Sequence, residues 1–162
     1  DAGTATFSMQ SLDLNALLKS AARKFSPLAE KAGLALTVSL SDGESRVKAD
    51  ADRLMQVLDN LLSNAIKFTP QGGGISLTCQ GGEKFVVIHI KDTGPGIPPE
   101  ARERIFERFY QVDKARTGGG ARGYGLGLAI SKQIVETHGG ALSLSTEDGV
   151  GGHFVVKLPL QT

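Results

Sequence analysis

Phe85-Val86-Val87-Ile88-His89-Ile90 runs through Lys91 into Asp92-Thr93-Gly94-Pro95-Gly96-Ile97. The first six residues read as a buried strand. An acid at the strand end, followed by two glycines two positions apart and a proline, predicts a tight turn that exposes its backbone. Working outward, Ile75–Cys79 and Lys84–Ile90 flank Gly81-Gly82 and form a hairpin, and two further strands, Ala141–Ser145 and His153–Leu158, close the chain. Strands that follow one another as hairpins, with helical stretches between the pairs, favour a mixed sheet covered by helices on one face. The fold class expected is therefore α+β: a two-layer α/β sandwich with a mixed, mostly antiparallel sheet and about three helices on one face.

The remaining elements follow from periodicity. Residues 11–32 predict a helix, with Asp13 as its cap and Leu14, Leu17, Leu18, Ala21, Phe25 and Leu28 at helical spacing. Pro27 is expected to kink or shorten it. Leu34–Leu40 reads as a strand, Asp42-Gly43 as a hairpin turn, and Arg46–Ala49 as the strand that pairs back. A strongly amphipathic helix covers about 50–68 and stops at Pro70 and Gly72-Gly73-Gly74. Pro98-Pro99-Glu100 predicts a short helix reaching about Phe106. Residues 107–124 form a polar, glycine-rich stretch too long for a simple connection, the kind that is either a lid or disordered. The last helix runs from about Gly125 to Thr137 and ends at His138-Gly139-Gly140.

With 162 residues the chain has the length of one domain, able to bury a core without disulfide or metal. A net charge of +1 gives no electrostatic footprint for nucleic acid or for a membrane surface. The single cysteine, Cys79, reads as a buried structural thiol, which fits a reducing compartment. No run is long and apolar enough to span a membrane. Residues 1–10, opening on Asp1–Thr6, read as a frayed or cloning-derived end, and the domain is expected over residues 11–160. Glycine is the informative excess: 21 of 162 residues, about 13%, against a usual share of about 7%. Its clusters sit at element junctions, where they make turns or let a ligand approach the backbone.

Asn60, Asn64 and Lys67 stand at i, i+4 and i+7 on the second helix and face one way. A solvated face is one reading. Asparagine, however, is a poor helix former, its amide oxygen is a hard ligand suited to magnesium, and Lys67 supplies a cation for phosphate. The two readings weigh equally on these residues alone. Asp92 can accept hydrogen bonds from an amine edge such as that of adenine, with Gly94 and Gly96 leaving space for a flat ligand. Gly123-Tyr124-Gly125-Leu126-Gly127 opens the last helix, where free backbone N–H groups attract phosphate. It reads equally as a hinge for the preceding loop.

Asn60…Asn64…Lys67, Asp92-x-Gly94-x-Gly96, Ile105-Phe106-Glu107-Arg108-Phe109 and Gly123-x-Gly125-x-Gly127 follow the order of the N, G1, F and G2 boxes. In this the chain resembles, over about residues 11–160, the catalytic ATP-binding domain of bacterial sensor histidine kinases. The resemblance implies the Bergerat ATP-binding fold, with ATP and Mg2+ as cofactors. It implies Asn64 as the magnesium ligand, Asn60 near the phosphates, and Lys67 on phosphate, so that Asn60 and Lys67 carry the catalytic role. Phe68 then lies against adenine, and Asp92 reads its amino group beside Gly94, Gly96 and Ile97. Phe106 and Phe109 anchor a lid over 107–124, with Lys114, Arg116 and Arg122 as its cations, although core packing alone would also account for the two phenylalanines. Gly123, Gly125, Leu126 and Gly127 cradle phosphate. The partners implied are a phosphoacceptor-histidine helical domain of the same kinase and a downstream response regulator, with no nucleic acid and no membrane contact by this domain. The location implied is cytoplasmic, in a parent that can be anchored in the inner membrane.

Two positions depart from the family pattern. Gln111 stands where many relatives carry arginine or histidine, and Gly152 where serine or threonine often precedes the closing strand. His89, His138 and His153 are each followed by a residue other than Asp or Glu, so each reads as structural. The dimerisation and phosphoacceptor domain is thus expected to lie outside this chain. Two alternatives remain: an isolated nucleotide-binding or docking module, and a hydrolysing ATPase like gyrase or MutL-type repair proteins. The ATPases place a glutamate four residues before the magnesium asparagine. Asn60 holds that place here, and an amide is no general base.

Overall fold

The structure, a computed structural model, describes residues 6–108, 125–145 and 151–161. The described chain runs β1 (Gln10–Asp13), α1 (Leu14–Lys31), β2 (Ala35–Ser39), β3 (Arg46–Ala49), α2 (Ala51–Phe68), β4 (Gly74–Gly81), β5 (Phe85–Asp92), α3 (Gly125–Thr137), β6 (Ala141–Leu144) and β7 (His153–Pro159). Five strands form one sheet in the order β2-β4-β5-β7-β6. Only β2 and β4 are parallel; the other three pairings are antiparallel. The expected α+β sandwich is borne out.

Alternation explains the layers. Ile75, Leu77 and Cys79 on β4, Val86, Ile88 and Ile90 on β5, and Phe154, Val156 and Leu158 on β7 are buried at every second position, so they share one face. The helices meet that face with Leu14, Leu18, Ala21 and Phe25 from α1, Leu54, Leu58, Leu61 and Leu62 from α2, and Leu128 and Val135 from α3. Cys79 lies in this core, where burial pushes its thiol up to about 11.

Both long helices begin where the sequence supplies a cap. Asp13 accepts the Asn15 N–H at 3.0 Å, and Asp50 accepts the Arg53 N–H at 3.1 Å. Pro27 does not end α1, which continues to Lys31. The expected core residue Leu28 is 51% exposed, and Ala29 takes the buried position.

Three expectations need correction. Arg46–Ala49 does not pair back onto β2; it pairs antiparallel with Gln10–Asp13, a strand the sequence reading had absorbed into the helix and the frayed end. Of that expected end, Phe7 and Ser8 make contacts that tie them to the domain. The Ser8 N–H donates to Asp50 Oδ2 at 2.8 Å, and the Phe7 ring packs 5.3 Å from the His138 ring. The short helix expected to reach Phe106 is a three-residue 3-10 turn, Pro99–Ala101, followed by further turns. Its bonds Ala101 N–H to Pro98 O, Arg102 N–H to Pro99 O and Arg104 N–H to Ala101 O span three residues, which tightens the chain below an α-helix.

Candidate functional site

Two junctions along α2 bring some of the described candidate residues together. At its C-terminal end, α2 meets the turn after β5. A Cβ at Gly94 would lie 3.0 Å from the Phe68 carbonyl oxygen and 2.9 Å from Asp92 Oδ1, so only glycine lets the two segments approach this closely. Gly96 sits at φ 76°, a left-handed backbone that favours glycine. Midway along, at Asn60, α2 meets the start of α3. Asn60 Nδ2 donates to the Gly127 carbonyl at 3.1 Å and to Ser131 Oγ at 3.0 Å. Asn64, half-buried, and Lys67, exposed, lie between these two junctions. From Asn60 to Phe68 the helix rises roughly 12 Å.

Asp92 has an asymmetric environment. Its Oδ1 accepts the Gly94 N–H at 2.8 Å and the Gly152 N–H at 3.0 Å. Its Oδ2 accepts no hydrogen bond among the described residues. Burial raises the carboxyl pKa above its ordinary value, and the two backbone N–H groups oppose that rise. The carboxylate is therefore fixed through one oxygen and offers the other to a donor. Gly151 and Gly152 close this corner: a Cβ at 151 would strike the Asp92 and Gly94 backbone, and one at 152 would lie 2.5 Å from Oδ2.

The other candidates fall in two groups. Ile97 is buried in the core at 7% exposure and its carbonyl accepts the Arg102 Nε–H at 3.2 Å. Phe106, half-buried, meets the Phe154 ring edge-on at 6.3 Å, with Lys132 Nζ 5.1 Å from its own ring. Gly125 and Leu126 begin α3. Phe109, Gln111, Lys114, Arg116, Arg122 and Gly123 lie outside the described residues, as does all of the expected lid over 107–124 except Glu107 and Arg108.

Two contributors escaped the sequence reading. Gly152 departs from the family pattern in its side chain, yet its N–H donates to Asp92 Oδ1; its place in a glycine cluster signals only a turn. Ser131, fully buried, receives Asn60 across 71 positions of sequence, which no local pattern signals. The histidines take structural positions. His138 is buried, accepting the Asp50 N–H at 3.0 Å while its other ring nitrogen lies 2.8 Å from the Ile134 carbonyl. His89 and His153 meet at 2.9 Å on neighbouring strands.

An α+β sandwich with an acid-and-glycine turn beside an asparagine-bearing helix defines a nucleotide-binding domain of the Bergerat type. The chain belongs to the histidine kinase-, DNA gyrase B- and HSP90-like ATPase family, whose profile matches residues 49–162. Within that family it is an ATP-binding domain of the histidine-kinase type. It is 44% identical over 145 residues to the sensor protein SrrB of Staphylococcus aureus, a match covering 89% of this chain and 24% of that protein. The chain thus spans about a quarter of the length of this relative. The catalytic domain of histidine kinase ThkA superposes with a TM-score of 0.80 at 30% identity, covering 94% of this chain and 98% of that one. ThkA in complex with response regulator protein TrrA matches at a TM-score of 0.78 and 28% identity, over 94% and 42% of the two chains. Full-length ShkA in complex with AMPPNP matches at a TM-score of 0.84 and 36% identity, over 99% and 33%. Among the described residues no helix is long and apolar enough to cross a membrane.

Proposed function

We propose that this domain binds Mg-ATP and positions the γ-phosphate for transfer to a histidine on a separate dimerisation domain of a two-component sensor kinase. The observation that carries the reading is the divided Asp92 carboxylate: Oδ1 is anchored by two backbone N–H groups, and Oδ2 is left for an exocyclic amine. Adenine offers such a donor at that edge; guanine offers a carbonyl, which a carboxylate repels.

The same face supports the phosphate assignment. Base and phosphates need sites separated along the nucleotide, and the Gly127 junction at Asn60, midway along α2, stands two turns from the Gly94 junction at Phe68, the last residue of that helix. Phe68 adjoins the base end. The amide nitrogen of Asn60 is committed to α3, so this residue fixes the Gly125–Gly127 helix terminus relative to α2, and the N–H groups of a helix's first turn favour phosphate. Lys67, exposed near the end of the helix, reaches phosphate oxygens.

The residues fit magnesium in one way. Asn64 supplies a neutral amide oxygen with no hydrogen bond among the described residues, and no group of three His, Cys, Asp or Glu side chains is assembled there. One oxygen does not hold magnesium alone, so the ion would be shared between Asn64 and the triphosphate. When bound it neutralises charge on the phosphates, and phosphoryl transfer depends mainly on such neutralisation and on positioning. The protein's own residues orient the base, clamp the phosphates and leave the acceptor histidine to another domain. The helical phosphoacceptor domain, a response regulator and a cytoplasmic location belong to the same proposal.

The test is transfer of label from γ-32P-ATP to a separately supplied phosphoacceptor domain of a related kinase. Acid-labile labelling of its histidine, lost in Asn64→Ala, supports the reading. Release of inorganic phosphate at the same rate with or without acceptor would favour an ATPase, and nucleotide binding without either product a docking module.

A further inference from the structure

β2 is an edge strand. It pairs with β4 on one side, and its other side has no strand partner among the described residues. Its sequence, Ala-Leu-Thr-Val-Ser over residues 35–39, contains none of the charges or prolines that usually guard a sheet edge. Beside it, α1 and β2 flank a shallow, open groove of about 400 Å3 lined by Lys19, Ala22, Arg23, Ser26, Val38 and Leu40. Ala22, Val38 and Leu40 give this groove an apolar floor, and Val38 remains 36% exposed. Lys19 and Arg23 stand over it four residues apart on one helix face, and neither makes an ion pair among the described residues.

We propose that this groove docks an extended acidic segment of a partner protein, which adds to β2 as a sixth strand. Three observations select that occupant. The open edge presents backbone donors and acceptors that an extended chain satisfies. Lys19 and Arg23, without an ion pair among the described residues, call for two anions. Finally, the spacing agrees: side chains at i and i+4 of a helix are about 6 Å apart, and alternate residues on one face of a strand are about 6.6 Å apart. An acid-x-acid pattern therefore places one carboxylate on Lys19 and the next on Arg23, with the intervening residue turned away. Bonding to Ser41 fixes one end of the groove, since Asn15 Nδ2 donates to the Ser41 carbonyl and the Ser41 N–H donates to Asn15 Oδ1, both at 3.0 Å. A second copy of this chain is disfavoured, because β2 pairing with β2 would bring two Lys19–Arg23 sets together. None of these residues belongs to the nucleotide site.

The experiment titrates 15N-labelled protein with the capped peptide Thr-Glu-Thr-Glu-Thr-Glu-Thr, and with its Lys-for-Glu counterpart. The proposal expects saturable shifts and slowed amide exchange at alternate residues of 35–39 with the acidic peptide only. It expects an affinity at least tenfold lower in the Lys19→Glu/Arg23→Glu variant, whose ATP affinity and thermal midpoint stay at the parent values. Lys19→Ala/Arg23→Ala should fall between. Equal binding of both peptides, shifts confined to other surfaces, or no binding overturns it. So does protection of β2 in a dimer seen by sedimentation without peptide, which assigns the edge to a second copy. Displacement of the peptide by millimolar phosphate with no change at β2 would reduce the groove to an anion site and overturn it as well.

Discussion

At Asp92 the requirements of folding and of binding oppose each other. The carboxyl is partly buried and its pKa is raised above 3.8, chiefly by desolvation. A group with a raised folded pKa contributes stability that is fully present below the unfolded value and is lost as pH rises through the folded one. At neutral pH the ionised form therefore costs stability. Asp92→Asn keeps an oxygen for the Gly94 and Gly152 N–H groups, which forces its NH2 into the place of Oδ2. Thermal melts should show the variant at least as stable as the parent at pH 7, with the difference vanishing below about pH 4. ATP affinity of the parent should fall as pH drops through the raised pKa. At Asn64 the expectation is different: Asn64→Ala should weaken Mg-ATP binding at least tenfold while changing metal-free nucleotide little, as read by calorimetry with and without EDTA. Equal weakening of both would remove the metal role.

Among the elements, α2 ties the domain together, because its apolar face packs on the sheet while its polar face carries the candidate site. Its start depends on Asp50, 8% exposed, which accepts N–H groups from both Arg53 and Ser8. The Ser8 bond is the largest cause of its lowered pKa. A depressed carboxyl contributes stability above its unfolded pKa of 3.8 and loses it as pH falls through the folded value. Asp50→Ala should cost about 1–2 kcal/mol at pH 7, measured by urea unfolding, whereas Asp50→Asn should retain most of the cap. α2 was legible in sequence for these same reasons: a capping acid, a 3.6-residue apolar period and a Pro-Gly stop all agree. α3 and the β4–β5 hairpin were legible likewise. β1 was not, since Gln10–Asp13 is a strand only through its pairing with Arg46–Ala49, and four mixed residues carry no period of their own. The 3-10 turn at Pro99–Ala101 misled because prolines and an acid mark a helix start but do not determine its length. That Asn60, Asn64 and Lys67 share one helix was readable from their spacing. Contacts between elements were not, as with Ser131 and the Gly152 N–H on Asp92.

Across the whole molecule, the segment entering the domain is fastened to the elements that build the site. Phe7 packs on His138 just beyond the C-terminal end of α3, Arg53 lies 5.3 Å from the Phe7 ring, and Ser8 bonds the cap of α2. Phe7→Ala should lower stability by about 1 kcal/mol in urea unfolding; an unchanged midpoint would return these residues to a frayed end. The central claim is that this fold binds ATP by reading adenine through Asp92, and calorimetry tests it most directly. ATP and GTP would be titrated with and without magnesium into the parent and Asp92→Asn. Adenine-selective, magnesium-assisted binding that weakens roughly 10- to 100-fold in Asp92→Asn is the expected result, the loss of about one charged hydrogen bond. Equal affinity for GTP and ATP, or an Asp92→Asn variant that binds ATP as the parent does, would contradict it.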